Sequence, residues 1–247
     1  MMSVGMYSKT KGIATALAAM FAIGCAGILP WHDEPVGTEV NVAFTIQNNL
    51  LFLTTPRIEN VHGRFFFGSA SARSVLDPKF VALIGPRRAY ALDVGQKEAI
   101  RITPVVLDLG KSGDAIIGAD VWGNRAVTID YRAGLLTYQK EGIHPEGMTL
   151  FRYRADPEIT IDVDGRTIPA IVDTASPDTV VLPRAKAPGR GTAHVRIAEQ
   201  DFGAVDVGYA NIPVAHVGNR LLSRFLVSID YGQHVIGLWR DPRIASR

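Results

Sequence analysis

Asp173-Thr174-Ala175-Ser176 is a short acidic turn between two apolar runs, Ile171-Val172 and Val180-Val181-Leu182. A carboxylate in such a turn can activate a water molecule. The Thr174 and Ser176 hydroxyls can brace the turn; no histidine stands beside them to make either a nucleophile. About a hundred residues earlier the chain carries Gly68-Ser69-Ala70-Ser71 in a similar apolar setting, so that Gly68 stands where Asp173 stands. Two carboxylates that share one proton can activate water and polarise a carbonyl together, and a single carboxylate cannot do both. Asp173 also fits a plain turn aspartate that collects backbone N–H bonds.

No other acid is placed to replace the missing one. Asp77 lies nine positions beyond Gly68 and Asp178 five beyond Asp173. At about 3.3 Å per residue neither returns to the water position from an extended strand. Ser69 can donate a hydrogen bond but has no carboxylic acidity. His32, His62, His144, His194, His216 and His234 are scattered without metal-ligand spacing, so no metal site and no cofactor are expected. Gly85-Pro86-Arg87-Arg88 reads as a basic turn, since it lacks the glycine spacing and the following Lys-Ser/Thr of a phosphate cradle. Trp122 and Trp239 read as core residues, with a cover over a lobe edge as the alternative for Trp239.

The elements that would position these groups repeat. Ile117 to Tyr131 lies against Val217 to Tyr231 at a constant offset of 100 residues, with Gly118 meeting Gly218 and Ile129-Asp130-Tyr131 meeting Ile229-Asp230-Tyr231. The offset is 105 at Gly68/Asp173 and 102 at Gly63/Gly165, which predicts three residues missing from the earlier copy between turn and acid position. Alternation in Val40–Ile46, Ile159–Val163 and His194–Ile197 predicts strands, and Val127–Asp130 and Val227–Asp230 are shorter versions. Asp164-Gly165 marks a hairpin, with His62-Gly63 in the equivalent place. Short helical turns are expected near Asp77–Phe80, Ala119–Asn124 and Asn219–Phe225, and no long helix after residue 24. The expected division is a signal over 1–24, a tether over 25–39, a degenerate unit over 40–138, a linker over 139–150, a unit retaining Asp173 over 151–240, and a tail over 241–247.

Lys9 and Lys11 precede the uncharged run Gly12 to Gly24, which has the length and polarity of an export signal and is short for a membrane span. Small residues before Cys25, the only cysteine, resemble a bacterial lipoprotein signal, which implies lipidation of Cys25 and a cell-envelope location facing the periplasm or exterior. An ordinary signal cut near Ala26 is the alternative. Cleavage before Cys25 removes Lys9 and Lys11 and leaves 24 basic residues against 24 acidic ones. That balance, with no Lys/Arg run carrying interleaved aromatics, gives no footprint for nucleic acid. A single cysteine excludes an internal disulfide, so stability must come from an ordinary apolar core, for which 47% apolar residues are ample.

Together, the strand, the Asp164-Gly165 turn, Thr167-Ile168-Pro169-Ala170-Ile171-Val172, Asp173-Thr174-Ala175-Ser176 and the following apolar strand resemble the catalytic segment of retropepsin-like and pepsin-like aspartic peptidases. Ile116-Ile117-Gly118 and Val217-Gly218-Asn219, with the strands after them, resemble the later half of the same unit, in which an apolar strand and glycine pack behind the active-site turn. The resemblance covers about 200 residues. It implies an all-β, bilobal fold with two pseudosymmetric lobes, their turns meeting at the base of a cleft for an extended peptide or protein segment. Two departures stand out: Ala70 and Ala175 occupy the place where the family usually has glycine, and Gly68 replaces the second catalytic acid. Endopeptidase activity through Asp173 would then need a carboxylate from another chain; a homodimer could supply it, though the fold does not require one. The alternative is an inactive peptide-binding or structural envelope lipoprotein.

Overall fold

The computed structural model describes residues 39–96, 98–139, 142–184 and 188–240. The expected signal, Cys25, nearly all of the tether and the C-terminal tail lie outside the described residues. What is described is predominantly β. Twenty strands form an 11-stranded sheet, a closed six-stranded barrel and a small three-stranded sheet.

The barrel is built from the second half. β13 (Glu158–Val163) and β14 (Arg166–Val172) form the expected hairpin, with Asp164 and Gly165 at φ +51° and +77° as a tight two-residue turn requires. β16 (Gly189–Ile197) and β17 (Gln200–Ala210) form a second hairpin. β18 (Ala215–Val217) runs parallel to β14 and antiparallel to β15 (Val180–Pro183), which lies parallel to β17. Pairing of β13 with β16 closes the ring and leaves no free strand edge. Alternation along β13 and β16 sends Ile159, Ile161, Val163, Val195 and Ile197 inward.

Residues 50–117 make the same set of pairings in an opened form. β2 (Leu50–Leu53) pairs antiparallel with β4 (Phe65–Phe67), and β3 (Arg57–Ile58) with β6 (Tyr90–Asp93), which pairs in turn with β7 (Ile100–Ile102). β5 (Val75–Leu76) lies parallel to β8 (Val105–Val106) and antiparallel to β9 (Ala115–Ile117), and β9 runs parallel to β4. Phe67 pairs with Ile117 and Val172 with Val217, so the offsets of 105 and 100 read from the sequence hold together in space. α1 (Pro78–Ile84), capped by Asp77, takes up the connection between β5 and β6.

The structure corrects the sequence reading at the first turn. The residues with positive φ are Glu59 (+52°) and Asn60 (+63°), and Ile58 bridges to Val61 as Val163 pairs with Arg166. The offset is therefore 105 from the turn to the acid position, and no three-residue gap exists. His62-Gly63 sits after this turn; Gly63 has no positive φ and is small because a Cβ there would lie 2.4 Å from the Phe65 ring.

The halves meet through β10 (Ala126–Asp130) and β19 (Leu226–Asp230), which follow a short 3₁₀ turn at Ala119–Val121 and the short helix α2 (Asn219–Leu222). They pair antiparallel, Thr128 opposite Ser228, in a register that maps onto itself when the strands are exchanged. The two hydroxyls lie 2.8 Å apart. β11 (Leu135–Gln139) and β20 (Val235–Trp239) flank this pair, and β1 (Glu39–Gln47) and β12 (Thr149–Arg152) lie outside them. β12 thus begins inside the expected linker. One apolar core runs through both halves and includes Phe67, Ile117, Trp122, Val172, Val217 and Leu221. Trp122 is fully buried, as expected. Trp239 is half-buried and lines a groove of about 380 Å³ with Met148, Leu226, Thr128 and Ser228. No described helix is long and apolar enough to cross a membrane.

Gly118 and Gly218 are glycine because of close approach. A Cβ on Gly118 would lie 2.6 Å from the Ser71 carbonyl oxygen, and one on Gly218 would lie 2.3 Å from that of Asp178. Backbone atoms cannot swing aside, so Gly218→Ala is expected to lose about 1–3 kcal/mol, or more, of unfolding free energy. Gly203→Ala makes a control, since Gly203 has φ +66° and nothing near its absent Cβ. The cost there should be about 1–2 kcal/mol of backbone strain. Urea titrations of both variants check the difference.

Candidate functional site

β14 delivers Asp173 to the centre of the molecule, where its backbone N–H donates to the Val217 carbonyl (2.9 Å) and its carbonyl accepts from Ser176 N (3.1 Å). Gly68, at the end of β4, does the same with Ile117 (3.0 Å) and Ser71 (3.1 Å). Local geometry therefore makes the two turns counterparts, apart from the carboxylate.

They are joined by reciprocal hydrogen bonds. Ser69 N donates to Thr174 Oγ1 (2.9 Å) and Thr174 N to Ser69 Oγ (3.0 Å). Ser69 Oγ donates to the Val172 carbonyl (2.6 Å) and Thr174 Oγ1 to that of Phe67 (2.8 Å). Each hydroxyl gives its only hydrogen to a carbonyl of the opposite turn, so neither is poised as a nucleophile. Both hydrogen bonds of the Thr174 hydroxyl go to the partner turn, so it braces that turn where the sequence suggested its own. Ser176, also buried, lies behind the turn, where its carbonyl accepts from Asn219 N (2.9 Å).

The Asp173 carboxylate is 1% exposed and spoken for on both sides. Oδ1 accepts the Ala175 N–H (2.9 Å), and Oδ2 lies 2.9 Å from His216 Nδ1. His216, 4% exposed, is a site residue that its sequence spacing does not distinguish from the other histidines. A signal was present: it interrupts the apolar run Ala215-His216-Val217 at the step where the earlier half has Ile116. Register puts each of these residues next to its turn, Ile116 opposite Phe66 and His216 opposite Ile171.

The earlier half fills the corresponding space with hydrocarbon. A Cβ on Gly68 would lie 2.5 Å from Ile116 Cγ2 and 3.2 Å from Ser71 Oγ. Ile116 is 1% exposed, so it has little room to retreat. One half thus holds Gly68 with Ile116, and the other Asp173 with His216.

The other acids do not join the pair. Asp77 caps α1 through Lys79 N (2.8 Å) and accepts from Leu109 N (2.9 Å). Asp178 faces Arg190 at 3.6 Å. Asp120 accepts from Ser74 N and Oγ; burial raises its pKa, and those two hydrogen bonds partly offset the rise. Asp156, exposed on the connection before β13, is also raised, first by desolvation, with His216 acting to lower it. Tyr131 is pushed far above the usual phenol range by burial and then by the charge of Asp173. Its hydroxyl donates to Asn219 Oδ1 (2.7 Å), and Asn219 Nδ2 donates to the Thr174 carbonyl (2.6 Å). Tyr231 reaches the Ser69 carbonyl from the other half (3.0 Å). Among the described residues, no group of three or more His, Cys, Asp or Glu is arranged to hold a metal ion.

Chemically, the centre contains one carboxylate and one imidazole in a buried pair. Such a pair can pass a proton between its members, while a water molecule would need access that the burial of both side chains denies it. No protein-family model matches the chain, and no curated protein matches it in sequence.

Proposed function

We propose that this chain is a two-lobed aspartic-peptidase-like protein that does not cleave peptides, its former active-site turns serving as the joint between lobes. The lobes are residues 40–138 and 151–240, internal copies related by a pseudo-two-fold axis between Thr128 and Ser228. The observation that carries the reading is the reciprocal Ser69–Thr174 grip, which sets Gly68 opposite Asp173. Shared pairings at offsets of 105 and 100 support the duplication. The proton that a peptidase shares between two carboxylates has its alternative partner in His216, within the same lobe. A dyad shared with a second copy is disfavoured, because Thr174 is already gripped by Ser69 and the first lobe would have to leave. On this reading the protein is a structural protein of the cell envelope, with export and a lipid anchor at Cys25 supported by the sequence before residue 26 alone.

A peptide-library cleavage assay from acidic to neutral pH, on the full chain and on Asp173→Asn, tests this. No turnover is expected in either protein. Cleavage by the wild-type monomer that Asp173→Asn abolishes would overturn the reading, and cleavage that rises with dimerisation would restore the two-chain dyad. Peptide binding without turnover would keep the protein a non-enzyme and make it a peptide binder. Intact-mass analysis of native membrane material tests the anchor: an unmodified full-length mass from the cytosol would sink it.

A further inference from the structure

The sheet that joins the halves packs one of its faces on the core. Val127, Ile129, Val227 and Ile229 point inward and are fully buried, so alternation turns Thr128, Leu226 and Ser228 to the other face. Gln139 and Trp239, which stand opposite Ala126 and Leu226 in the two halves, join them there. Residues 142–148, part of the single connection between the halves, run over this outer face. A Cβ on Gly237 would lie 2.5 Å from Met148 Sδ, and one on Gly147 would lie 3.3 Å from Trp239 Cδ1, so the connection rests on β20. Connection and sheet together form the groove of about 380 Å³ that Trp239 lines. That volume falls in the range of small-ligand sites.

The less exposed polar groups of the groove are neutral and have hydrogen-bonding capacity to spare. Thr128 Oγ1 and Ser228 Oγ lie 2.8 Å apart, which uses one of their two hydrogens, and no described residue accepts the other. Gln139 Nε2 donates to the Gly142 carbonyl (2.9 Å), while no described residue donates to its Oε1. None accepts from the Trp239 indole N–H either. The half-buried indole, Met148 and Leu226 supply apolar surface beside these groups. Among the described residues no Lys or Arg lines the groove, and its two ionisable groups, His144 and Glu146, are exposed.

We propose that this groove binds a saccharide through one neutral pyranose ring, from a free sugar or from a glycan chain. A pyranose presents an apolar C–H face and a rim of hydroxyls, each of which both donates and accepts. The indole, Met148 and Leu226 match the face, since an aromatic ring with a polar handle suits a site that is apolar at one end and wet at the other. The spare hydroxyl hydrogen, Gln139 Oε1 and the indole N–H match the rim, with donors and an acceptor together. An anion would find no cation in the lining, and a cation would find only the exposed Glu146, a kind of pairing worth little in water. Nothing in this depends on the fate of the acidic turns, whose strands share the core on the inner face of the sheet.

Nuclear magnetic resonance on the isotope-labelled full chain, titrated with glucose, with N-acetylglucosamine and with the linear trimer of the latter, tests the site. Trp239→Phe identifies the Trp239 indole signal by its loss. A saturable shift of that signal is expected, with a dissociation constant between micromolar and millimolar. Trp239→Ala and Gln139→Ala should each weaken binding by about tenfold while urea unfolding shows both variants folded. Tighter binding of the trimer than of the monomer would assign the groove to a glycan chain, and equal binding to a single sugar. Absence of a saturable Trp239 shift with all three saccharides would overturn the proposal, as would wild-type affinity in both variants. A shift with choline but with no sugar would also overturn it, in favour of an ammonium site. Should Trp239→Ala fail to fold, Gln139→Ala and the wild-type Trp239 signal decide.

Discussion

His216→Ala is expected to lower the free energy of unfolding by about 3–5 kcal/mol, because it leaves the Asp173 carboxylate buried without its imidazole partner. The Ala175 N–H remains on Oδ1, but the partner of Oδ2 is removed, and a carboxylate that is 1% exposed must then stay charged in a poor solvent or take up a proton. Asp173→Asn should cost less, about 1–2 kcal/mol, since its amide oxygen can keep the Ala175 bond and only a neutral group is buried. With both changes in one chain, the loss should be smaller than the sum of the single losses, and that difference measures the coupling directly. Urea unfolding at neutral pH reads all three variants. A loss below about 1 kcal/mol for His216→Ala would mean that the pair is hydrated and energetically ordinary, as exposed ion pairs are.

The strands and the acid turn were legible because they follow from local pattern. Alternation in Val40–Ile46, Ile159–Val163 and His194–Ile197 assigns residues to the core; β13 and β16 follow it, and β1 follows it through Phe44, beyond which Ile46 is exposed. Asp164-Gly165 forms a tight turn because that dipeptide accepts positive φ on both residues, whereas Glu59-Asn60 does so in the equivalent place with only Asn60 suited to it. The nearby His62-Gly63 therefore looked like the turn, and an artificial gap of three residues entered the alignment of the halves. Small residues can signal close approach as well as turning, and Gly63 belongs to the first kind.

What could not be read from the sequence depends on pairs brought together across the chain. His216 is 43 positions from Asp173, and only the parallel register of β14 with β18 makes them neighbours. Ile116 had the same hidden role: it looked like one more strand residue, although it occupies the volume that a side chain at position 68 would need. The contact of Asn49 with Asn219 spans 170 positions and lies at the tip of a hairpin with no counterpart in the other half, so the repeat itself gave no hint of it. Internal comparison finds what the two halves share, whereas the Asp173–His216 pair, Ile116 and the Asn49 contact all lie in what they do not.

Gly68→Asp, which places a carboxyl in the turn opposite Asp173, is expected to destabilise the protein by roughly 3–5 kcal/mol. Steric overlap with Ile116 Cγ2, 2.5 Å from the first added carbon, accounts for about 1–3 kcal/mol of this. The remainder is the cost of a carboxyl group buried near Asp173, where two like charges resist joint ionisation. Gly68→Ala isolates the steric part. Charge separates from sterics by pH: below about pH 4 the introduced carboxyl is protonated in both folded and unfolded chains, so the excess loss over Gly68→Ala should be small there. It should grow as pH rises, because the unfolded chain releases that proton more readily than the folded one. Ile116→Ala in the Gly68→Asp background should recover part of the stability by opening space, and only this double variant has room for a second acid beside the Ser69–Thr174 grip. A Gly68→Asp protein as stable as the wild type at neutral pH would show that the position is roomy and hydrated, and the blocking role given to Ile116 would have to be abandoned.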